Sequence, residues 1–398
     1  NAYFCISHQY HVVLKNYFSS DFKLGILGGG QLGRMLLVET QKFDIYTSIL
    51  DASPDAPCAQ IGNEFHQGDL HDFDTVYNFG KKVDVLTIEI ENINIDALDR
   101  LEKEGLQIFP KPKNIRIIQS KASQKNFYKD HTIPTAAYSH YAYLEELKHS
   151  FHNSIIEFPF VWKAARFGYD GTGVKIVRTF KDLENLPIGE CIVEKLIPFK
   201  NELAVIVARN NKGEITSYPV VEMEFHPEAN QVEYVICPAR IDDSIAEKAR
   251  EIALKVADAF DFVGLLAVEM FQTQEDDILV NEVAPRTHNS GHYSIEASYT
   301  NQFEQHLRSI LNLPLGNTAS KVAGIMVNLV GAEGHTGAVV YENIDEILKI
   351  DGVTPHIYGK KTTKPFRKMG HVTIVNKDID KARKVAQQVK ETIKVISK

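Results

Sequence analysis

From Lys23 onward short apolar runs alternate with amphipathic stretches, at residues 24–27, 32–40, 46–50 and 83–88. This βαβ rhythm predicts a parallel sheet with helices on its faces. The first 22 residues lack the pattern. Asn1-Ala2 reads as an expression scar and the aromatic, irregular stretch behind it as a disordered leader, so function is sought elsewhere. Pro110, Pro112 and Pro134 punctuate a passage in which residues 115–129 can form a helix, placing a boundary near residue 118. Runs at 160–163, 173–178, 190–194 and 202–209 predict a β-rich layer. Across 242–260 the apolar positions Ile245, Ala249, Ile252, Val256 and Phe260 fall three or four apart, the mark of a helix with one buried face and Asp242 as its N-cap. Strands at 264–271 and 278–283, joined by an acidic turn, predict a hairpin. From about Pro314, strands at 324–330 and 370–375 precede a basic amphipathic helix over 378–394.

The expected organisation is therefore a multidomain α/β and α+β chain. A leader over 1–22 precedes a parallel-sheet domain over 23–118, a central region over 119–313, and a small β-rich C-terminal domain with a terminal helix over 314–398. A length of 398 residues with 44% hydrophobic and 24% charged positions suits two or three domains with real cores, and excludes disorder. No uninterrupted apolar run is long enough for a membrane span, and no secretion signal is evident. The formal charge of −8 disfavours a nucleic-acid partner, so any phosphate site must be local. Cys5, Cys58, Cys191 and Cys237 form no CxxC pair, which fits a reducing, cytoplasmic setting.

Four segments could carry chemistry. Gly28-Gly29-Gly30-Gln31-Leu32-Gly33 satisfies GxGxxG between a strand and a helix, with Asp51 where a ribose-binding acid would sit, but a glycine turn serves tight packing equally. Lys163 precedes Gly168-Tyr169-Asp170-Gly171-Thr172-Gly173, a glycine flap suited to covering a polyphosphate or simply a flexible hairpin loop; it does not match GxxxxGK[ST]. Glu269 and Glu282 interrupt the two apolar strands of the hairpin, where an unpaired charge is costly to bury. They suit magnesium with phosphate oxygens and water, or salt bridges to lysine or arginine. Arg286-Thr287-His288-Asn289-Ser290-Gly291-His292 fits a small oxyanion. A zinc pair of His288 and His292 is disfavoured because Ser290 and Gly291 spoil the intervening helix. The basic run 360–368 is a solvated face, or a phosphate clamp beside such a site.

The order of flap lysine, glycine flap, Glu194-Lys195-Leu196-Ile197, Glu202, Glu269 and Asn281-Glu282 resembles the ATP-grasp superfamily of ATP-dependent ligases. More narrowly, residues 28–35, 167–173, 281–292 and 367–371 resemble the 5-(carboxyamino)imidazole ribonucleotide synthetase family of purine biosynthesis, over nearly the whole chain from Lys23. The resemblance implies a pre-ATP-grasp domain, then ATP-grasp central domains. It also implies that ATP phosphorylates bicarbonate to carboxyphosphate, whose carboxyl group passes to the amine of aminoimidazole ribonucleotide. By resemblance, Lys121, Lys163, Gly168, Tyr169, Asp170, Gly171, Thr172, Gly173, Val174, Glu194, Lys195, Leu196, Ile197, Glu202, His226, Asn281 and Glu282 bind ATP. Glu269 and Glu282 would hold Mg2+, while Arg286, His288 and Asn289 hold bicarbonate or carboxyphosphate. Tyr169 and Asp170 stand near the amine. Gly30, Gln31, Leu32, Glu91, Lys360, Arg367 and Lys368 take the ribonucleotide. A homodimer is expected, with neither nucleic acid nor membrane as partner.

Three positions depart from the family pattern: Thr172 where a basic residue is common, Lys121 where arginine is frequent, and Phe366 where glycine is usual. Ala284 replaces the asparagine metal ligand of many ATP-grasp enzymes. Competing expectations are another ATP-grasp ligase, such as formate-dependent glycinamide ribonucleotide transformylase, an NAD-dependent oxidoreductase built on residues 28–33, and an inactive ATP-binding regulator.

Overall fold

The computed structural model describes residues 16–166, 173–227, 229 and 231–398. The flap residues Gly168, Tyr169, Asp170, Gly171 and Thr172, and most of the leader, lie outside them. Phe22, assigned to the leader from the sequence, is instead 1% exposed and packs edge-on against Tyr17 at 5.2 Å. Burial of its ring is what ties the end of that segment to the core.

The N-terminal alternation folds as expected into five parallel strands, in the order Glu64–Gln67, Tyr46–Asp51, Lys23–Leu27, Val85–Ile88, Gln107–Phe109. Leu24 and Ile26 pack under the helix Gln31–Lys42, while Leu27, Leu50, Leu86 and Ile88 pack with the helices Phe73–Gly80 and Ile95–Lys103. Strand order reverses between Lys23–Leu27 and Val85–Ile88. At such a switch point the loops beyond the carboxyl ends part and leave a crevice. Here those loops are Gly28–Gly30 and Glu89–Glu91.

The helix expected over 115–129 is two, Pro112–Ile118 and Lys121–Asp130. Ser120 breaks the run because its backbone is extended and its hydroxyl caps the second helix by accepting from Ser123 N at 3.2 Å. Next comes a four-stranded antiparallel sheet ordered Tyr138–Tyr141, Cys191–Lys195, Phe160–Ala164, Val174–Val177.

A larger antiparallel sheet runs Ile278–Ala284, Gly264–Thr273, Phe199–Arg209, Val221–Phe225, Val232–Cys237, Ala323–Val330, Lys368–Asn376, Val353–Ile357. The pairing of Val232–Cys237 with Ala323–Val330 makes strands on either side of residue 314 parts of one sheet. Leu203, Val205, Val207, Leu266, Val268 and Met270 turn one face toward the helix Asp243–Ala259. Asp242 occupies the N-cap position of that helix, although its side chain makes no capping bond. Beyond Ile379–Thr392, a strand the sequence pattern missed, Lys394–Ser397, pairs with Gly337–Glu342. No helix among the described residues is long and apolar enough to cross a membrane.

The helix Gln302–Ile310 joins the regions. Its Phe303, Leu307 and Ile310 enter the same core as Leu24, Ile26, Leu36 and Tyr358. Leu307 is fully buried there. Leu307→Ala should therefore cost about 2–5 kcal/mol, read as a clear fall in the thermal unfolding midpoint, and an unchanged midpoint would remove this core from its joining role.

Candidate active site

On the face of the large sheet away from the helix Asp243–Ala259, Ala204 lies opposite Glu269 and Glu269 opposite Glu282. Paired residues on antiparallel strands share a face, and so do residues two apart. Glu202, Glu269 and Glu282 therefore all project from one face. The ladder shifts register there, pairing Glu269 with Glu282 but Met270 with Val280. Asn281 is the extra residue of this bulge and is re-aimed, its Oδ1 accepting from Lys163 Nζ at 2.8 Å.

Cations close over these acids from two other elements. Lys121, in the first turn of Lys121–Asp130, pairs with Glu282. Lys163, in the neighbouring sheet, pairs with Glu194 Oε2 at 2.9 Å, and Lys125, one turn beyond Lys121, pairs with Glu194 Oε1 at 2.9 Å. Lys121, Lys125, Lys163, Glu194, Asn281 and Glu282 line one small cavity. Lys195, exposed, ends the strand after Glu194, and Leu196 and Ile197, both half-buried, follow it out. Val174 pairs with Lys163, and Gly173, left-handed at φ +80, accepts from Ala164 N at 2.8 Å as it closes the flap.

The segment after the hairpin continues the cluster. His288 Nε2 lies 3.3 Å from Glu269 Oε1, and Arg286 Nε 3.0 Å from Glu91 Oε1 at the switch-point crevice. Asn289 and Asn328 exchange two amide bonds of 2.9 Å. A Cβ on Gly291 would stand 2.3 Å from Ile206 Cδ1 and 2.6 Å from Gln302 Oε1, so glycine lets these two side chains close on the turn. His292 does not converge with His288. Its buried ring stacks on His371 at 4.7 Å and bonds to Gln302, and among the described residues no group of three or more His, Cys, Asp or Glu is placed to hold a metal by itself.

The glycine loop serves packing and the crevice, and its dinucleotide reading fails on geometry. Asp51 is spent on the loop itself, accepting from Gly29 N at 2.7 Å and Ser53 N at 2.8 Å. Gly28 is left-handed at φ +97, and a Cβ on Gly30 would meet the Glu89 carboxylate at 2.3 Å. Glu89, which accepts from Gly33 N at 2.8 Å, occupies the space against the loop. Gln31 and Leu32 open the helix at this crevice.

The basic run divides. Lys360 Nζ donates to Lys368 O at 2.7 Å, and the charge of Lys360 acts on Glu89 as that of Lys368 acts on Glu269. Arg367 instead spends its guanidinium on Thr362 of its own loop, 2.8 Å from the carbonyl. Phe366 is left-handed at φ +61, which accounts for glycine being the usual residue, and its ring meets His226 at 5.8 Å. His226 thus faces the C-terminal domain.

Electrostatics sets the acids apart. Burial, then the charges of Glu282 and Glu202, push Glu269 above the ordinary carboxylate range. Burial would raise Glu282 as well, but Lys121 and Lys163 outweigh it and hold that carboxylate low. Burial lifts Glu202 to about 7, with Glu282 adding to the rise and Lys163 opposing it, and burial also lifts Glu89 to about 7. Two facing carboxylates in unequal states fit one hard divalent cation completed by phosphate oxygens and water. Lys125, Glu89, Gln302 and Asn328 escaped sequence reasoning. Only Lys125 carried a usable signal, its i, i+4 spacing from Lys121.

Known proteins resemble the chain over most of its length. The chain matches the ribonucleotide synthetase preATP-grasp domain over residues 22–119, the ATP-grasp domain over 126–303 and the phosphoribosylaminoimidazole carboxylase C-terminal domain over 324–385. It is 37% identical over 362 residues to N5-carboxyaminoimidazole ribonucleotide synthase of Bacillus subtilis, covering 90% of this chain and 92% of that one. The N5-carboxyaminoimidazole ribonucleotide synthetase crystal structure from Thermotoga maritima superposes with a TM-score of 0.87 at 43% identity, covering 95% of this chain and 100% of the other. The N5-carboxyaminoimidazole synthase of Aspergillus clavatus, solved with ADP and 5-aminoimidazole ribonucleotide, gives 0.84 at 34% identity, covering 94% of this chain and 98% of that one.

The raised Glu202 has a consequence for stability. The folded chain keeps its proton to about pH 7, whereas the unfolded chain releases it at the ordinary glutamate value of 4.5, so stability falls as pH rises between those values. Glu202→Gln removes the ionisation. The variant should gain about 1–3 kcal/mol on the wild type between pH 5 and pH 7.5 without nucleotide, seen as a widening gap in thermal midpoints; a constant gap would contradict it.

Proposed function

The chain belongs to the N5-carboxyaminoimidazole ribonucleotide synthetase family, and from that membership we propose that it carboxylates the amine of 5-aminoimidazole ribonucleotide with bicarbonate and ATP. The products are N5-carboxyaminoimidazole ribonucleotide, ADP and phosphate, in purine biosynthesis. The observation that carries this reading is the opposed pair Glu269 and Glu282 with Lys121, Lys163 and His288 closing on it. Phosphoryl transfer is largely positioning and charge neutralisation, so a cleft of paired cations and acids with no obvious nucleophile suits it.

In this scheme Lys121 and Lys163 exchange their carboxylate and amide partners for ATP phosphates, under the flap of residues 168–173. The stretch 194–197 receives the adenine, and Glu202, with His226 nearby, the ribose. Mg2+ held by Glu269 and Glu282 would neutralise phosphate charge. Arg286, His288 and Asn289 orient bicarbonate, which attacks the terminal phosphorus to form carboxyphosphate and release ADP. The substrate amine then attacks the carboxyl carbon, the bond from that carbon to the phosphate oxygen breaks, and the released phosphate takes the amine proton; closure over the cleft protects the labile intermediate from water. Family membership gives Tyr169 and Asp170 a role at the amine, while Gly30, Gln31, Leu32, Glu91, Lys360, Arg367 and Lys368 hold the ribonucleotide. For Arg367 this requires its guanidinium to leave Thr362. Cys58, Cys191 and Cys237, buried free thiols, suit the proposed cytoplasmic setting. A homodimer belongs to the same proposal.

Glu282→Gln should lower ATP turnover by about 10²–10³-fold, the weight of one preorganised electrostatic group, while the circular dichroism spectrum stays that of the folded chain; normal ADP release would refute the proposed metal role. Arg286→Ala should reduce carboxylation by at least about 10²-fold while ADP affinity changes little. Equal loss of both would move Arg286 out of the bicarbonate site. Turnover with glycinamide ribonucleotide and formate in place of the proposed substrates would favour the sibling ligase.

A further inference from the structure

Lys125 sits behind the cleft and is 2% exposed, Glu194 is 3% exposed and Lys163 is 7% exposed. The Glu194 carboxylate is divided between the two lysines, one oxygen to each at 2.9 Å. Lys125 Nζ also donates to Thr135 Oγ1 at 2.6 Å, and Thr135 Oγ1 donates to Val280 O at 2.6 Å, beside the bulge that aims Asn281 at Lys163. Lys125 is therefore pinned from two sides.

We propose that Lys125 is a positioning residue for ATP, holding Glu194 so that Lys163 can turn to the phosphates without abandoning a buried carboxylate. This rests on the reading of the cleft as an ATP site. Lys163 and Glu194 alone would be a neutral buried pair. Drawing Lys163 toward phosphate would then strand a carboxylate in a dry site, a heavy penalty. With Lys125 present, Glu194 keeps a partner throughout the exchange, and the triad carries one net positive charge into the pocket. A pair built only for stability has no need of a second lysine, which burial and the neighbouring Lys163 disfavour. Burial in fact drives Lys125 down to about 8, against the pull of Glu194.

The decisive experiment measures ADP binding in magnesium chloride by calorimetry, and the Michaelis constant for ATP, in the wild type, Lys125→Met and Lys125→Arg. The wild type binds ADP; failure there would sink the ATP reading itself. Lys125→Met should weaken ADP and raise the ATP constant by about tenfold, within the coupling expected inside one ion network, with the turnover number at saturating ATP reduced far less. Lys125→Arg keeps a second cation on Glu194, so its ADP affinity should stay within about threefold of wild type. Unchanged affinity in Lys125→Met overturns the proposal. So does Lys125→Arg binding as poorly as Lys125→Met, since that is the behaviour of a residue needed only for packing. Should Lys125→Met not fold, Lys125→Gln takes its place under the same tenfold criterion.

Discussion

Glu269 and Glu282 stand opposite each other on neighbouring strands of a sheet whose other face is packed with aliphatic side chains. Two carboxylates so placed repel in a medium that screens poorly, and cannot both ionise freely without cations. The surroundings follow from that constraint. Lys121 answers Glu282, and His288 meets Glu269. Glu269 is pushed toward its protonated form while its partner stays charged. The free chain thus balances an acidic site with its own cations, and those cations are the groups an incoming polyphosphate would claim.

That balance needs three elements from distant parts of the chain. The acids come from the large sheet, Lys121 and Lys125 from the helix behind Ser120, and Lys163 and Glu194 from the smaller sheet. The parallel domain adds Glu89 and Glu91 at its switch point, where Arg286 meets Glu91. The helix Gln302–Ile310 fixes this domain against the rest through a shared core, and Gln302 at its start bonds His288 and His292. Position in the core and position in the site are set by the same helix.

The glycine loop illustrates how a motif misleads when read without its neighbours. GxGxxG and the acid after the second strand would suit a dinucleotide, yet Asp51 closes the loop on itself and Glu89 fills the space beside it. Phe366 shows the converse. An unusual residue in the basic run proves to carry a left-handed backbone, with its ring against His226.

Local pattern alone determined the βαβ rhythm, the amphipathic helix at 243–259, the acidic hairpin and the chemical character of Lys163, Glu269, Glu282 and residues 286–292, because period and residue type are properties of neighbours in the chain. Tertiary structure alone decided that Glu202, Glu269 and Glu282 share a face, that Asn281 bulges toward Lys163, that Lys125 and Lys163 divide Glu194, and that Arg367 turns away to Thr362. Those facts depend on register, burial and contacts between distant parts of the chain, such as Lys163 with Asn281 at a separation of 118. Charge pairing over such distances leaves no periodic trace, since a lysine reads alike in the sequence whether it ends in solvent or against a buried acid.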